Sequence, residues 1–447
     1  METVLIAIGS LVPMLLVLVV VHELGHFVTA RALGVKVLEF GVGFPPRAFG
    51  LYAGRTRVLL DPATTFINLR GATDLRRGQL VKVSSAEDSY GNLVARTIEA
   101  PPARRRLRDR FSRDHAAEEP RLVGEDLLRH EGKVRAVEAG AIILADMLYS
   151  INWAPLGGFV RLAGESNPEV PRSLAGKGVG TRFLVLVAGP LMNAILPIAI
   201  FTVLLMIPQD VTIGRVTVNE VSTDSPAAEA GIRPDDVIIL ANGGKIENQL
   251  GLIRAINLNG GATMELLLLR GGQEMVVQVR PQFDSSQERW MVGVRPTLGE
   301  ARVVSQSEPL WEAFPKSFVS TWELLVLVKQ ALFGAFSEGS APQFSGPIGI
   351  AQLTGEVTRD GGLTGWLTIS VLLSINLAVL NILPIPMLDG GRLVFVVLEW
   401  LRRGKRVPPE KEGLVHLIGF AVLIGAILVI SANDINRLVQ GQSFLGG

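Results

Sequence analysis

No cysteine occurs among the 447 residues, which excludes disulfides and thiolate metal sites and leaves any bound metal to His, Asp or Glu. Histidine is almost as scarce, with His22, His26, His115, His130 and His416 the whole supply. Charge is thin too. Charged residues make up 19% against 48% hydrophobic. With a mean hydropathy of +0.37, this excludes an ordinary single soluble domain and points to a polytopic membrane protein carrying soluble parts. A net charge of +1 provides no global basic field, so no nucleic-acid partner is expected. No Lys or Arg precedes the first apolar run, which also outlasts a secretory signal core, so it is expected to remain as an anchor.

Four spanning helices are predicted, each long enough for a hydrocarbon core of ~30 Å. They run from about Val4 to Leu33 with Pro13 as a kink, Phe183 to Ile207, Gly365 to Leu383, and Gly413 to Ile430. Leu388 to Leu401 is expected as an amphipathic or embedded helix after the third. Arg402, Arg403, Lys405, Arg406 and Lys411 form a short basic loop between the last two spans, which the positive-inside rule places in the cytoplasm. Both termini and residues 208–362 then lie outside, and 34–182 inside.

The first span ends on His22-Glu23-Leu24-Gly25-His26. Residues four apart share a helix face, so His22 and His26 can bind one metal while Glu23 reaches a water on it, as in the H-E-x-x-H zinc hydrolases. Ionisable residues within a span are costly unless they face protein, which makes chance a poor explanation. Beyond the span, Glu39 to Pro46 reads as a glycine-rich hairpin dipping into the membrane, and Pro155 to Arg161 as a second glycine-rich edge strand. Gln79 to Ala100 alternates like a hairpin around Tyr90-Gly91-Asn92. The cluster Arg104, Arg105, Arg106, Arg108, Arg110 and Arg113 is expected on a solvated helix, with attraction to anionic cytoplasmic lipid as the alternative, and His115 and His130 are expected on the surface.

Residues 211–282 form a strand-rich unit. A strand at Val216–Val221, a capped helix at Ser225–Gly231, a strand at Asp235–Leu240 and a hairpin around Arg270-Gly271-Gly272 give an order that resembles a PDZ domain, which takes an extended peptide on a sheet edge. Residues 310–336 carry apolar positions at helical spacing. A further intramembrane acid, Asp389, lies in Asn381-Ile-Leu-Pro-Ile-Pro-Met-Leu-Asp389-Gly390-Gly391. It is either a helix cap or a metal ligand, and its pairing with HELGH favours the ligand.

Together, HELGH, SINLAVLNILPIPMLDGG, GVGFPP, PLGGFVRLAGE, VAGPLMN, SGPIGIA and the PDZ-like unit resemble the site-2 protease family of intramembrane zinc metalloproteases. The resemblance implies one zinc per chain on His22, His26 and Asp389, with Glu23 as base. It also implies substrate contacts from Asn376, Asn381, Gly41, Gly43, Gly157 and Gly158. The expected fold is a polytopic α-helical membrane protein of about four transmembrane helices, with membrane-associated edge strands and an extracytoplasmic PDZ domain. Its expected divisions are 1–56 (first helix and re-entrant hairpin), 57–150 (cytoplasmic insert), 151–207 (edge segment and second helix), 208–283 (PDZ), 284–362 (amphipathic helix and linker) and 363–447 (last two helices). Expected partners are single-pass membrane substrates such as pre-trimmed anti-sigma factors or remnant signal peptides, peptides at the PDZ unit, and the bilayer. The expected place is the bacterial plasma membrane, with the site towards the cytoplasm. Two rivals come from other classes. A transporter predicts related halves, and HELGH and LDGG are not repeated. A metal-holding adaptor that recruits partners through the PDZ unit has no need of Glu23.

Overall fold

The computed structural model describes residues 2–101, 126–284, 289–337 and 346–440, so the arginine cluster, His115 and Ser345 fall outside the described residues. Two compact units are formed, Met1–Leu196 with Ser345–Gly362 and Asn376–Gly447 in one, and Pro197–Phe344 with Leu363–Ile375 in the other.

In chain order the first unit opens with α1 (Glu2–Ala32), which includes Pro13 without ending there. Strands follow as β1 (Val37–Ala53), β2 (Thr56–Ile67), β3 (Leu80–Glu87), β4 (Leu93–Glu99), β5 (Leu128–Glu138), β6 (Ala141–Ala145) and β7 (Met147–Leu162), before α2 (Val179–Met206). The hairpin expected around Tyr90 is β3–β4. It belongs to a closed barrel in the order β2-β4-β3-β5-β6, whose interior is filled by Val58, Val83, Leu93, Ile98, Leu128, Ile142 and Leu144. A barrel leaves no open edge, which removes the aggregation risk of five short strands.

His130, expected on the surface, is instead buried. Its neighbours Arg129 and Glu131 are charged, but along a strand only alternate residues share a face, and Leu128, His130 and Val134 all turn inward. Its Nδ1 lies 2.7 Å from Asp146, whose other contacts are Lys36 Nζ at 2.6 Å and Thr56 Oγ1 at 2.7 Å. Burial alone would raise the Asp146 pKa, but the hydrogen bonds and charges of His130 and Lys36 outweigh it and bring it down to about 2. Burial also pushes the Lys36 ammonium below its ordinary range, with Asp146 opposing the shift. Removing one member would strand a charge in the interior, so the network ties α1's exit to the barrel.

In the second unit come β8 (Gln209–Val221), α3 (Pro226–Glu229), β9 (Val237–Ala241), β10 (Gly244–Lys245), α4 (Gln249–Leu258), β11 (Met264–Arg270), β12 (Gln273–Val279), β13 (Gln282–Asp284), β14 (Arg289–Met291), β15 (Val294–Gln306) and α5 (Leu310–Ser337). Ser225 caps α3 by accepting from the Ala228 N–H, and Asn248 caps α4 from Gly251. The sheet runs β12-β11-β9-β8-β15. Arg289–Met291 and Val294–Gln306, expected as part of a linker, are strands instead, and β15 pairs with β8 from Val294↔Val221 to Gln306↔Gln209. Their alternation is too polar to announce a buried strand, and Trp290 packs over Gly260 and Gly261 and edge-on to the Phe283 ring, 5.5 Å between centroids.

The chain ends in α6 (Pro347–Ile382), α7 (Asp389–Leu401) and α8 (Pro409–Val439), with Gly362 at φ 56° bending α6. Among the described residues, four helices are long and apolar enough to cross a membrane: Leu5–Ala32, Val179–Met206, Pro347–Ile382 and Pro409–Arg437. Third in that order, α6 begins at Pro347 but leaves helical geometry at Gly362, so the predicted start near Gly365 corresponds to the helix that resumes after that kink. None of the most apolar window of α8 is buried within the protein, so that surface calls for hydrocarbon. The helical expectation therefore holds for the spans, while the remaining chain is dominated by strands.

Candidate metal centre

Helix periodicity puts His22 and His26 on one face of α1, with ring centroids 4.9 Å apart and both side chains buried. Asp389 reaches them from the far end of the chain. Its Oδ2 lies 2.9 Å from His22 Nε2 and 3.3 Å from His26 Nε2, and the two Nε2 atoms are 3.2 Å apart. A tetrahedral ion with bonds of ~2.0–2.2 Å holds its donors roughly 3.3–3.6 Å apart, so three atoms converging at 2.9, 3.2 and 3.3 Å need to spread only by a few tenths of an ångström to hold zinc with a fourth position open. A carboxylate and two imidazoles facing one another in an apolar span also form a donor set that a bound cation would satisfy.

The path of the chain around Asp389 follows from its prolines and glycines. Pro384 and Pro386 cannot continue α6, and α7 starts at Asp389 itself. The N-cap position belongs to Leu388 and shows no side-chain cap bond, so the Asp389 carboxylate is turned to the histidines instead of capping. A Cβ on Gly390 would sit 2.0 Å from the Leu383 carbonyl, and one on Gly391 would sit 2.4 Å from that of Ile385. Only glycine fits at either place.

α2 completes the enclosure. A Cβ on Gly25 of α1 would lie 2.2 Å from the Ala188 carbonyl, and one on Gly189 would lie 2.3 Å from His26 Nε2 and 2.7 Å from His22 Nε2. Glycine at 189 thus keeps clear the space directly against both donor nitrogens, as a bound ion requires. His26 Nδ1 donates to the Val185 carbonyl at 2.7 Å, which leaves its Nε2 lone pair for a metal.

Glu23 is held by the sheet. Its carboxylate accepts a hydrogen bond from the Val160 N–H of β7. β1 and β7 are both bent, so Gly41 pairs with Phe159 on one side and Ser150 on the other, and Val42 with Gly158 and Ile151. The Gly41–Val42 backbone, expected as an edge for substrate, is therefore occupied on both sides by β7. In the Gly157–Val160 arm, Gly158, Phe159 and Val160 pair with β1 on one side, and among the described residues no strand pairs with the other. The glycines serve close approach: a Cβ on Gly158 would meet the Gly41 carbonyl at 2.9 Å, and Gly43 and Gly157 adopt φ of 77° and 88°. Asn376 and Asn381 lie on α6, and neither hydrogen-bonds the three donors; Asn381 donates to the Leu377 carbonyl at 2.9 Å.

Two other candidates are accounted for elsewhere. Glu39 accepts from Ser150 at 2.7 Å and pairs with Arg161 at 3.1 Å, and His416 Nδ1 accepts the Met387 N–H at 2.9 Å. Sequence reasoning missed the line Ser85 Oγ–His130 Nε2 (3.3 Å) and His130 Nδ1–Asp146 (2.7 Å), which follows the order of a hydrolytic triad. Ser85 is 0% exposed, and no substrate can reach it. Among the described residues, His22, His26 and Asp389 are the one His and carboxylate cluster drawn together tightly enough for a metal.

Comparison with known proteins agrees with this chemistry. Residues 10–76 and 130–426 match peptidase family M50. The chain belongs to that family. Zinc metalloprotease RasP of Oceanobacillus iheyensis is 31% identical over 434 residues, covering 94% of this chain and 97% of its own. RasP of Geobacillus kaustophilus is 29% identical over 94% and 95%. The regulator of sigma-W protease RasP of Bacillus subtilis is 29% identical over 94% and 96%. A crystal structure of the PDZ domain of an SdrC-like protein from Listeria monocytogenes matches 20% of this chain and 92% of its own, at 20% identity and TM-score 0.18. The resemblance to the site-2 proteases is thereby borne out, and the M50 protein described here is an intramembrane zinc metalloprotease of regulated intramembrane proteolysis. The family implies zinc, and the donor set fits it.

Proposed function

We propose that one zinc per chain is held by His22, His26 and Asp389, and that Glu23 is the general base. The observation carrying this is the meeting of three donors from α1 and the start of α7, with Glu23 beside them. Bound zinc would supply Lewis acidity to the attacking water and the scissile carbonyl. Glu23 takes the water's proton and later hands it to the leaving amine. Its carboxylate is kept in place by the Val160 N–H, so the base and the neighbouring strand act as one rigid part. A substrate helix must unwind before it can be cut, because its carbonyls are otherwise tied up in hydrogen bonds. The Gly157–Val160 arm offers replacement partners by strand addition, with Gly41 and Gly43 keeping the sheet thin behind it and Asn376 and Asn381 steadying the chain from α6.

The substrates in this reading are single-pass proteins of the bacterial plasma membrane, trimmed beforehand and then cut near the cytoplasmic face. Anti-sigma factors are the first class to try, given that the Bacillus subtilis relative is named for sigma-W, and remnant signal peptides the second. The PDZ unit faces outward and binds peptide segments at its sheet edge. The basic loop Arg402–Lys411 motivates the orientation. A reporter fused at Gly244 should read outside and one at Lys405 inside; the reverse pattern would put the metal centre at the outer face.

Cleavage is tested by reconstituting the full chain in vesicles with a trimmed single-pass substrate. Product should appear within the substrate's span, vanish on zinc chelation and return with added zinc. Cleavage that survives complete removal of the metal would overturn the reading.

A further inference from the structure

The Ala188 to Asn193 stretch of α2 has no part in the proton transfers, yet it lies against both imidazoles. Val185, Gly189 and Asn193 recur every four residues and so share one face of α2. Each meets the metal centre. The Val185 carbonyl accepts from His26 Nδ1, Gly189 keeps the space beside both Nε2 atoms clear, and Asn193 sets its side-chain Nδ2 3.4 Å from His22 Nδ1. Asn193 is 1% exposed, a polar side chain fully enclosed in an apolar span.

An imidazole that turns Nε2 to a dication is neutral and carries its proton on Nδ1, which then needs an acceptor. For His26 that acceptor is the Val185 carbonyl. For His22 the group at the same place is the Asn193 amide. A half-turn about its last side-chain bond exchanges amide nitrogen and oxygen in nearly the same space and presents Oδ1 to the proton.

We propose that Asn193 is the positioning residue of His22. Its amide oxygen accepts the Nδ1 proton, fixes the tautomer that frees Nε2, and holds the ring at the angle the ion requires. The inference rests on the reading of His22 as a zinc ligand. It makes α2 the second half of the metal centre, orienting both α1 histidines from a single face.

The test is zinc affinity of the detergent-purified full chain, measured by chelator competition, alongside the melting temperature of the metal-free protein. Asn193→Leu keeps the volume and removes the acceptor; its affinity should fall by about 10–100-fold with metal-free stability unchanged. Asn193→Asp keeps an acceptor and should hold zinc close to the wild-type level. Cobalt loaded into Asn193→Leu should show a shifted visible spectrum, and Asn193→Ala gives the same reading should leucine disturb packing. Wild-type affinity in the Leu and Ala variants, or equal losses in Leu and Asp, overturns the proposal. A His22→Ala control separates the two levels: zinc retained there sinks the metal-site reading itself, whereas zinc lost there with wild-type affinity in Asn193→Leu rejects only the role of Asn193.

Discussion

Glu23→Gln is expected to bind zinc at the wild-type level and to lose turnover by about 10²–10⁴-fold or more. Glutamine has the shape of glutamate, and its side-chain oxygen can still accept the Val160 N–H, so neither the fold nor the seating of β7 should change. What it cannot do is take a proton. Nor is the glutamate one of the three converging donors, so metal content should be indifferent to the change. Cleavage of a reconstituted substrate, read together with zinc content by elemental analysis, makes the comparison. Turnover within tenfold of wild type would move the base to another residue, and zinc loss would make Glu23 part of the metal's own shell.

The second large effect concerns the third donor. Asp389→Ala should lose both activity and stoichiometric zinc, while Glu39→Ala and His416→Ala keep the metal. Asp389 is the carboxylate within 2.9 and 3.3 Å of the two Nε2 atoms, and its charge would offset that of a dication held between the two imidazoles. Because it makes no cap bond, its removal should cost α7 only the helix-dipole share of about 0.3–1 kcal/mol. Loss of metal then cannot be blamed on unfolding. Glu39 is engaged by Ser150 and Arg161, so its loss should be felt as a net of about 1 kcal/mol per hydrogen bond in the sheet, away from the ion. One zinc per folded Asp389→Ala chain would reject the assignment.

Parts of this protein were legible in the sequence because the forces behind them are local. An apolar run of sufficient length makes a span wherever it sits, and four of the predicted spans have counterparts among α1, α2, α6 and α8. The barrel hairpin at Tyr90 was legible from period-2 alternation and a turn dipeptide. His130 was misjudged because its charged neighbours were read without regard to strand phase, although Leu128 and Val134 keep that phase. β15 was invisible for another reason. Its residues are mostly exposed, and what makes it strand is the backbone ladder to β8, more than seventy residues earlier in the chain.

By itself the sequence determined that an apolar helix presents two histidines and a glutamate at metal-binding spacing, since a helix repeats every 3.6 residues whatever surrounds it. It also determined where α6 must stop, at Ile382 just before Pro384, since proline forbids continuation. Only the tertiary structure decided the rest. The bond between His22 and Asp389 joins residues 367 positions apart, and the Asn193 contact to His22 spans 171. The bends of β1 and β7 settled which glycine-rich backbone is enclosed and which keeps a free side. Such contacts depend on distant segments excluding lipid and water from one another, and no local preference encodes which segments those will be.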